Sequence, residues 1–119
     1  MNAVNWFELP VRDLQRATDF YAKVLGRPLK VETFGSETLT RFGSAKDGAG
    51  GALVQEAGRE PSEHGARIYM PIADITAALQ RASEAGGKVV SEKTSIGPMG
   101  FTGLFRDLDG NVVGLHAYE

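Results

Sequence analysis

The chain predicts an α+β fold made of two βαβββ modules, and three observations carry that prediction. The first is a repeat. Glu8-Leu9-Pro10-Val11-Arg12-Asp13-Leu14 is answered sixty-one positions later by Tyr69-Met70-Pro71-Ile72-Ala73-Asp74-Ile75, and the register runs ungapped through Ala17 and Ala78 to Gly26 and Gly87. Self-similarity at a fixed offset marks a duplicated supersecondary unit. The second observation is a change of period at each Asp, from strand-like alternation before it to helical spacing after it. The third is the set of Gly, Pro and Asp-Gly signals that cut the rest of each copy into three short strand-like runs.

In order, residues 4–11 read as the first strand, with Phe7, Leu9 and Val11 on one face and Trp6, Glu8 and Pro10 on the other. Asp13 is suited to cap the first helix, whose apolar stripe is Leu14, Ala17, Tyr21, Val24 and Leu25, and Gly26 is suited to end it. Strands follow at 29–33, 37–42 and 52–56, with Lys46-Asp47-Gly48 as a tight turn between the last two. The polar segment 58–65, which contains Pro61, reads as a linker between module one (1–57) and module two (66–119) of a single domain.

The second copy opens with a strand at 66–72, placing Ile68, Met70 and Ile72 on one face and Arg67, Tyr69 and Pro71 on the other. Asp74 caps the second helix, striped by Ile75, Ala78, Leu79, Ala82 and Ala85 and ended at Gly86-Gly87. A short strand at 88–91, a loop at 94–100 holding Gly97-Pro98-Met99-Gly100, and strands at 101–106 and 111–117 complete the copy. Pro10 and Pro71 sit near strand ends, where a missing ladder donor is best tolerated.

Bulk properties exclude several classes of function. The 119 residues suffice for one domain with a real core. A formal net charge of −2 gives no electrostatic case for nucleic acid or anionic membrane. There are no cysteines, which removes disulfides, thiolate metal sites and Cys nucleophiles. No apolar run is long enough to span a bilayer and the first residues lack the pattern of a signal peptide, so a cytoplasmic location is the expectation.

The helices need an apolar sheet face to cover, and Phe7, Leu9 and Val11 with Ile68, Met70 and Ile72 supply it. Two twisted sheets side by side with helices outside curl into a cup. Its wall then carries Trp6, Glu8, Pro10, Arg67, Tyr69 and Pro71, joined by Ala52, Val54 and Glu56 and by Val112, Gly114 and His116. A concave wall mixing aromatic, charged and small residues is typical of a small-molecule site.

The strand leading into Val11-Arg12-Asp13-Leu14, followed by Phe20-Tyr21 and Val24-Leu25-Gly26, resembles the opening of the vicinal oxygen chelate superfamily. The close at Asp107-Leu108-Asp109-Gly110-Asn111 resembles the same family's ending. That family includes glyoxalase I, extradiol dioxygenases, fosfomycin-resistance enzymes and bleomycin-resistance proteins. The resemblance covers almost the whole chain and implies paired βαβββ modules assembled as a homodimer. It also implies, for the family's enzymes, a divalent metal held by His and Glu. At those four positions this chain has Trp6, Val54, Arg67 and Gly114, none with an oxygen or imidazole donor on its side chain. No cofactor is therefore expected, and a divalent metal at a displaced site is the alternative.

The displaced site would use residues two positions on: Glu8, Glu56, Tyr69 and His116. Glu8 and His116 are the candidate acid–base pair, with a buried ion pair between terminal strands as the competing role. The candidate ligand-binding residues are Trp6, Glu56, Arg67, Tyr69, Met99, Phe101 and Gly114. Trp6 is either a stacking wall or a core residue, and Arg67 either neutralises an anionic ligand or pairs with Glu8. Met99 and Phe101 belong to a lid or to a plain hairpin connection, and Gly114 leaves room for a ligand. His64 reads as a surface residue.

Three functions compete. The first is a small-molecule-binding protein of glyoxalase or bleomycin-resistance type without the standard metal site. The second is a lyase or isomerase resembling glyoxalase I, metal-dependent or using Glu8 and His116. The third is a regulatory partner with no ligand. The implied homodimer is open to light scattering: a dimer mass is expected, and monomer alone across the micromolar range would overturn it.

Overall fold

The computed structural model describes residues 3–43 and 48–119, so Lys46 and Asp47 of the expected turn lie outside the described residues. The first module runs β1 (Trp6–Pro10), α1 (Leu14–Leu25), β2 (Val31–Phe34), β3 (Glu37–Gly43) and β4 (Gly50–Val54). The second runs β5 (Tyr69–Pro71), α2 (Ile75–Glu84), β6 (Lys88–Ser95), a 3₁₀ turn (Gly97–Met99), β7 (Phe101–Arg106) and β8 (Val112–Ala117). Each module closes a four-stranded mixed sheet, ordered β1-β4-β3-β2 and β5-β8-β7-β6. The strand before each helix pairs parallel with the last strand of its module, and the other pairings are antiparallel. β1 and β5 are thereby left as sheet edges.

Local chemistry explains the helices. Asp13 and Asp74 are extended residues whose carboxylates accept the N–H groups of Arg16 and Ala77 at 3.1 and 3.0 Å. Gly26, with φ 68°, ends α1 in the left-handed conformation, and the next N–H, of Arg27, donates to Ala22 O at 3.2 Å. The α2 end is joined to the α1 end by Arg81, whose guanidinium donates to Lys23 O at 3.0 Å and to Val24 O at 2.9 Å. No helix among the described residues is long and apolar enough to cross a membrane.

One continuous core lies between the helices and both sheets. It holds Leu9, Val11, Tyr21, Val24, Phe42 and Leu53 from module one with Met70, Ile75, Leu79, Phe105 and Leu115 from module two. Phe7, Ile68 and Ile72 pack against it, as the alternation predicts. Aromatic rings carry the core across the module boundary: Phe42 meets Tyr21 at 5.4 Å, and Tyr21 meets Phe105 at 5.9 Å. A smaller cluster of Leu39, Ala52 and Val54 with Trp6 occupies the opposite face of the first sheet.

The sequence misplaces several boundaries. The first strand begins two residues late and β5 shrinks to three residues. β2 lies slightly later than 29–33. β4 spans 50–54 rather than 52–56, which takes Glu56 off the strand. β6 runs on to Ser95 through two register shifts, so Thr94 and Ser95 pair with Thr102 and Phe101 instead of looping.

Tyr21 and Asp107 form a buried contact between modules. The phenol donates to the carboxylate at 2.7 Å, and Asn111 Nδ2 adds a bond at 3.1 Å. Burial raises the Asp107 pKa above its ordinary 3.8, with these hydrogen bonds working against it. Burial and the neighbouring Asp107 charge hold the Tyr21 phenol well above its usual range. Because the folded protein keeps the Asp107 proton to higher pH than the unfolded chain does, its contribution is greatest below 3.8 and declines as pH rises through the folded value. Tyr21→Phe removes the donor to this carboxylate. We expect about 1.5–3 kcal/mol of lost stability in urea denaturation at pH 7 with an unchanged m-value.

Candidate functional site

The unpaired edges of β1 and β5 bound a cleft of about 890 Å³. Residues of both strand faces line it, among them Trp6, Phe7 and Glu8 on one wall and Arg67, Tyr69 and Met70 on the other. Leu25, Arg27 and Phe42 also border it. The alternation placed a site on the helix-free face of the sheets; a cavity of about 230 Å³ bordered by Glu8, Val54 and Glu56 lies there on the first sheet, while the cleft of about 890 Å³ opens at the seam between two sheet edges, which both faces reach. The surface furrow along α1, lined by Asp13, Arg16, Asp19 and Lys23, is by contrast a set of solvated charges.

Of the sequence-derived candidates, the cleft gathers Trp6, Glu8, Arg67 and Tyr69. Glu8 is held on two sides. Arg59 donates to its carboxylate at 2.6 Å, and the Trp6 indole N–H donates to the other oxygen at 3.3 Å. The Arg59 bond is the main reason the Glu8 pKa lies below its ordinary 4.5, with the Trp6 bond second and desolvation opposing both. Glu56 shares the same guanidinium at 3.0 Å and is exposed; it stands off the cleft and borders the smaller cavity with Glu8 and Val54.

Glu8 and His116 are not brought together. The imidazole Nε2 lies 2.7 Å from Met99 O, and the ring meets Tyr118 edge-on at 4.7 Å. The separation follows from topology: β1 ends one sheet, β8 is interior to the other, and each side chain is already satisfied locally. Of the two roles open to Arg67, pairing with Glu8 is taken instead by Arg59.

Three further candidates lie outside the cleft. Tyr69 and Gly114 are register partners, and a Cβ built on Gly114 would overlap the Tyr69 ring, so the space read as room for a ligand is filled by Tyr69. Met99 projects into solvent from the 3₁₀ turn at 58% exposure. Phe101 packs against the core with the Lys93 ammonium 4.5 Å above its ring. His64 is exposed beside Glu63.

Sequence reasoning missed Arg59 and Arg27. Arg27 follows α1 and donates to Phe42 O at 2.7 Å while bordering the cleft. Arg59 stands in the linker, and its only signal was a cation three residues beyond Glu56. Among the described residues no group of three or more His, Cys, Asp or Glu is placed to hold a metal ion. Trp6, Val54, Arg67 and Gly114 offer no side-chain oxygen or imidazole, and Tyr69 covers Gly114, so these residues do not fit the divalent cation that the family pattern implies.

Glu8 gives a pH dependence with a definite sign. Its lowered folded pKa means that its stabilising contribution is present above 4.5 and is lost as pH falls through the folded value. Glu8→Gln should cost no more than about 1 kcal/mol at pH 7, as for a partly exposed pair. Urea denaturation across pH 7 to pH 3 should show the difference from wild type shrinking on acidification.

Comparison with known proteins identifies the fold and the family. A glyoxylase-like domain-containing protein from Didymella fabae is 27% identical over 114 residues, covering 91% of this chain and 88% of the relative. The structure of an antibiotic-binding protein from Streptomyces sp. is similar with a TM-score of 0.66 at 29% identity, over 98% of this chain and 95% of that one. A glyoxalase/bleomycin resistance protein from Albidiferax ferrireducens shares the fold with a TM-score of 0.72 at 17% identity, over 96% and 97% of the two chains. The family model of the Glyoxalase/Bleomycin resistance protein/Dioxygenase superfamily matches residues 3–115, and the chain belongs to that superfamily.

Proposed function

We propose that this protein binds and sequesters an apolar or aromatic small molecule in the cleft between β1 and β5, without the superfamily's standard metal chemistry. The cleft carries the reading. Its volume of about 890 Å³ lies in the range of small-molecule sites, and its lining is mainly apolar and aromatic with a few polar groups. The likeness to an antibiotic-binding protein at 29% identity supports a bound small molecule. The four metal positions support the exclusion of a cation at that level, since none supplies a side-chain donor.

The acid–base alternative has less support. It needs Glu8 to exchange a proton with His116, but Arg59 holds Glu8 as a carboxylate and the two side chains have separate partners. The homodimer belongs to the same proposal: a second copy would extend the open face of the second sheet, where Tyr69 stands 48% exposed.

Trp6 is the chain's one tryptophan and lines the cleft, so its fluorescence reports on occupancy. Titration with a panel of aromatic antibiotics should give saturable quenching by at least one compound and a raised melting temperature. Saturating ligand at a hundredfold excess over Kd stabilises by about 2.7 kcal/mol. Trp6→Phe should abolish the optical signal and keep the thermal shift. A panel that moves neither signal sinks the reading.

A further inference from the structure

The two prolines of the repeated motif stand at the ends of the two strands whose edges border the cleft. Main-chain groups of β1 alternate in direction. Val11 N–H donates to Val54 O at 2.8 Å and Asn5 O accepts from Gly50 N–H at 3.0 Å, so the odd-numbered residues face β4. Period two turns the N–H and C=O of Trp6 and Glu8 the other way, off the sheet edge that borders the cleft. In β5, Ile68 O accepts from Gly114 N–H at 2.8 Å and Ile72 N–H donates to His116 O at 3.0 Å. Tyr69 and Pro71 therefore present their main-chain groups outward on the opposite wall.

Pro10 and Pro71 bound these edges. Neither has an N–H, and Pro10 O is already taken by Asn111 Nδ2 at 2.9 Å. What remains is a short row: the N–H and C=O of Trp6 and Glu8, the N–H and C=O of Tyr69, and the C=O of Pro71. None of these groups has a main-chain partner among the described residues. An apolar ligand that covered them would strand donors and acceptors away from water, which disfavours binding. A ligand with its own amide edge would satisfy them as an added strand does.

Resting on the cleft reading above, we propose that the preferred ligand is an aromatic compound carrying one or two secondary amides, which bonds to the Trp6–Glu8 edge or the Tyr69 edge. The prolines at one end and the starts of β1 and β5 at the other limit the regular ladder to about 7 Å, two residues at roughly 3.3 Å each. Dipeptide-sized amides therefore fit, and longer peptides gain no further bonds.

Three probes of similar shape test this on the wild-type protein: N-acetyl-phenylalanine N-methylamide, N-acetyl-phenylalanine methyl ester, and methyl 3-phenylpropanoate. They carry two amides, one amide and none. Binding is read from Trp6 fluorescence, and the bonded groups are located by ¹⁵N–¹H spectra and amide hydrogen exchange. Each amide replaced should weaken binding by roughly five- to tenfold, the worth of about one hydrogen bond. In the free protein the Trp6, Glu8 and Tyr69 amides should exchange fast while Phe7, Leu9 and Met70 are protected. The bis-amide should then slow and shift at least one of the fast set. Equal affinity for all three probes, or binding that leaves those amides unchanged, overturns the amide-edge proposal and leaves the apolar cleft standing. If neither these probes nor the antibiotic panel perturbs Trp6, the cleft reading falls and this proposal falls with it.

Discussion

The structure depends on the carboxylate of Asp107. It sits in the turn between β7 and β8, 5% exposed, and accepts from the N–H groups of Asp109 and Asn111 at 2.9 and 3.0 Å. Those bonds shape the turn itself. The remaining ones reach the other module: Tyr21 on α1 donates to Asp107, and Asn111, oriented by the same carboxylate, donates to Pro10 O at the end of β1. Asn111 Oδ1 also accepts from Ser62 N–H in the linker at 3.1 Å. A single desolvated group thus ties the last turn of module two to the helix, first strand and linker of module one. A buried carboxylate is costly unless its bonds are made, and this one is placed where losing them loosens both modules at once.

That coupling is one-sided. At the sixty-one-residue offset, Ala82 answers Tyr21 and Phe20 answers Arg81. Module two receives a phenol from module one and returns a guanidinium to the last carbonyls of α1, and neither bond has a twin. The backbone of a duplicated unit is specified by features both copies keep, namely the prolines, the capping Asp residues and the terminal glycines. Features they do not share decide how the copies pack. Glu8 and Tyr69 are also equivalents at that offset, so opposite walls of the cleft carry different chemistry on the same scaffold.

Much of the fold was legible in the sequence because its determinants are local. Asp13, Asp74 and Gly26 act within one helical turn, and the alternation around Leu9 and Met70 needs only the period of a strand. The lining of the candidate cleft was legible in part. Trp6, Glu8, Arg67 and Tyr69 were identified from strand phase, and all four border the cleft. Phase assigns a side chain to a face, however, and carries no information about a gap between two strand edges. The partners of Glu8 and His116 were hidden for a related reason: Arg59 reaches Glu8 from an irregular linker, and Met99 O reaches His116 from a 3₁₀ turn. Neither segment has a period to read. The filling of the Gly114 site depended on the register Tyr69↔Gly114, which pairing sets and spacing alone does not.

The edges themselves pose a physical question that the rest of the chain answers. Unpaired strand edges template aggregation unless they are short, charged or interrupted. Here β5 has three residues, both edges end in proline, and β1 carries Glu8 with Arg59 over it. Those devices stop a foreign strand from extending along either edge, yet they leave the middle of each edge unpaired beside the cleft. A protein under pressure only to avoid aggregation would gain by closing the seam and pairing β1 with β5 directly, as the hydrogen-bonding groups are present on both sides. The helix contacts and the Asp107 tie instead support two separate sheets with the seam open. Short, proline-bounded edges held apart over a core that crosses the seam combine two properties: little room for a foreign strand to pair, and a cleft of about 890 Å³ left open between them.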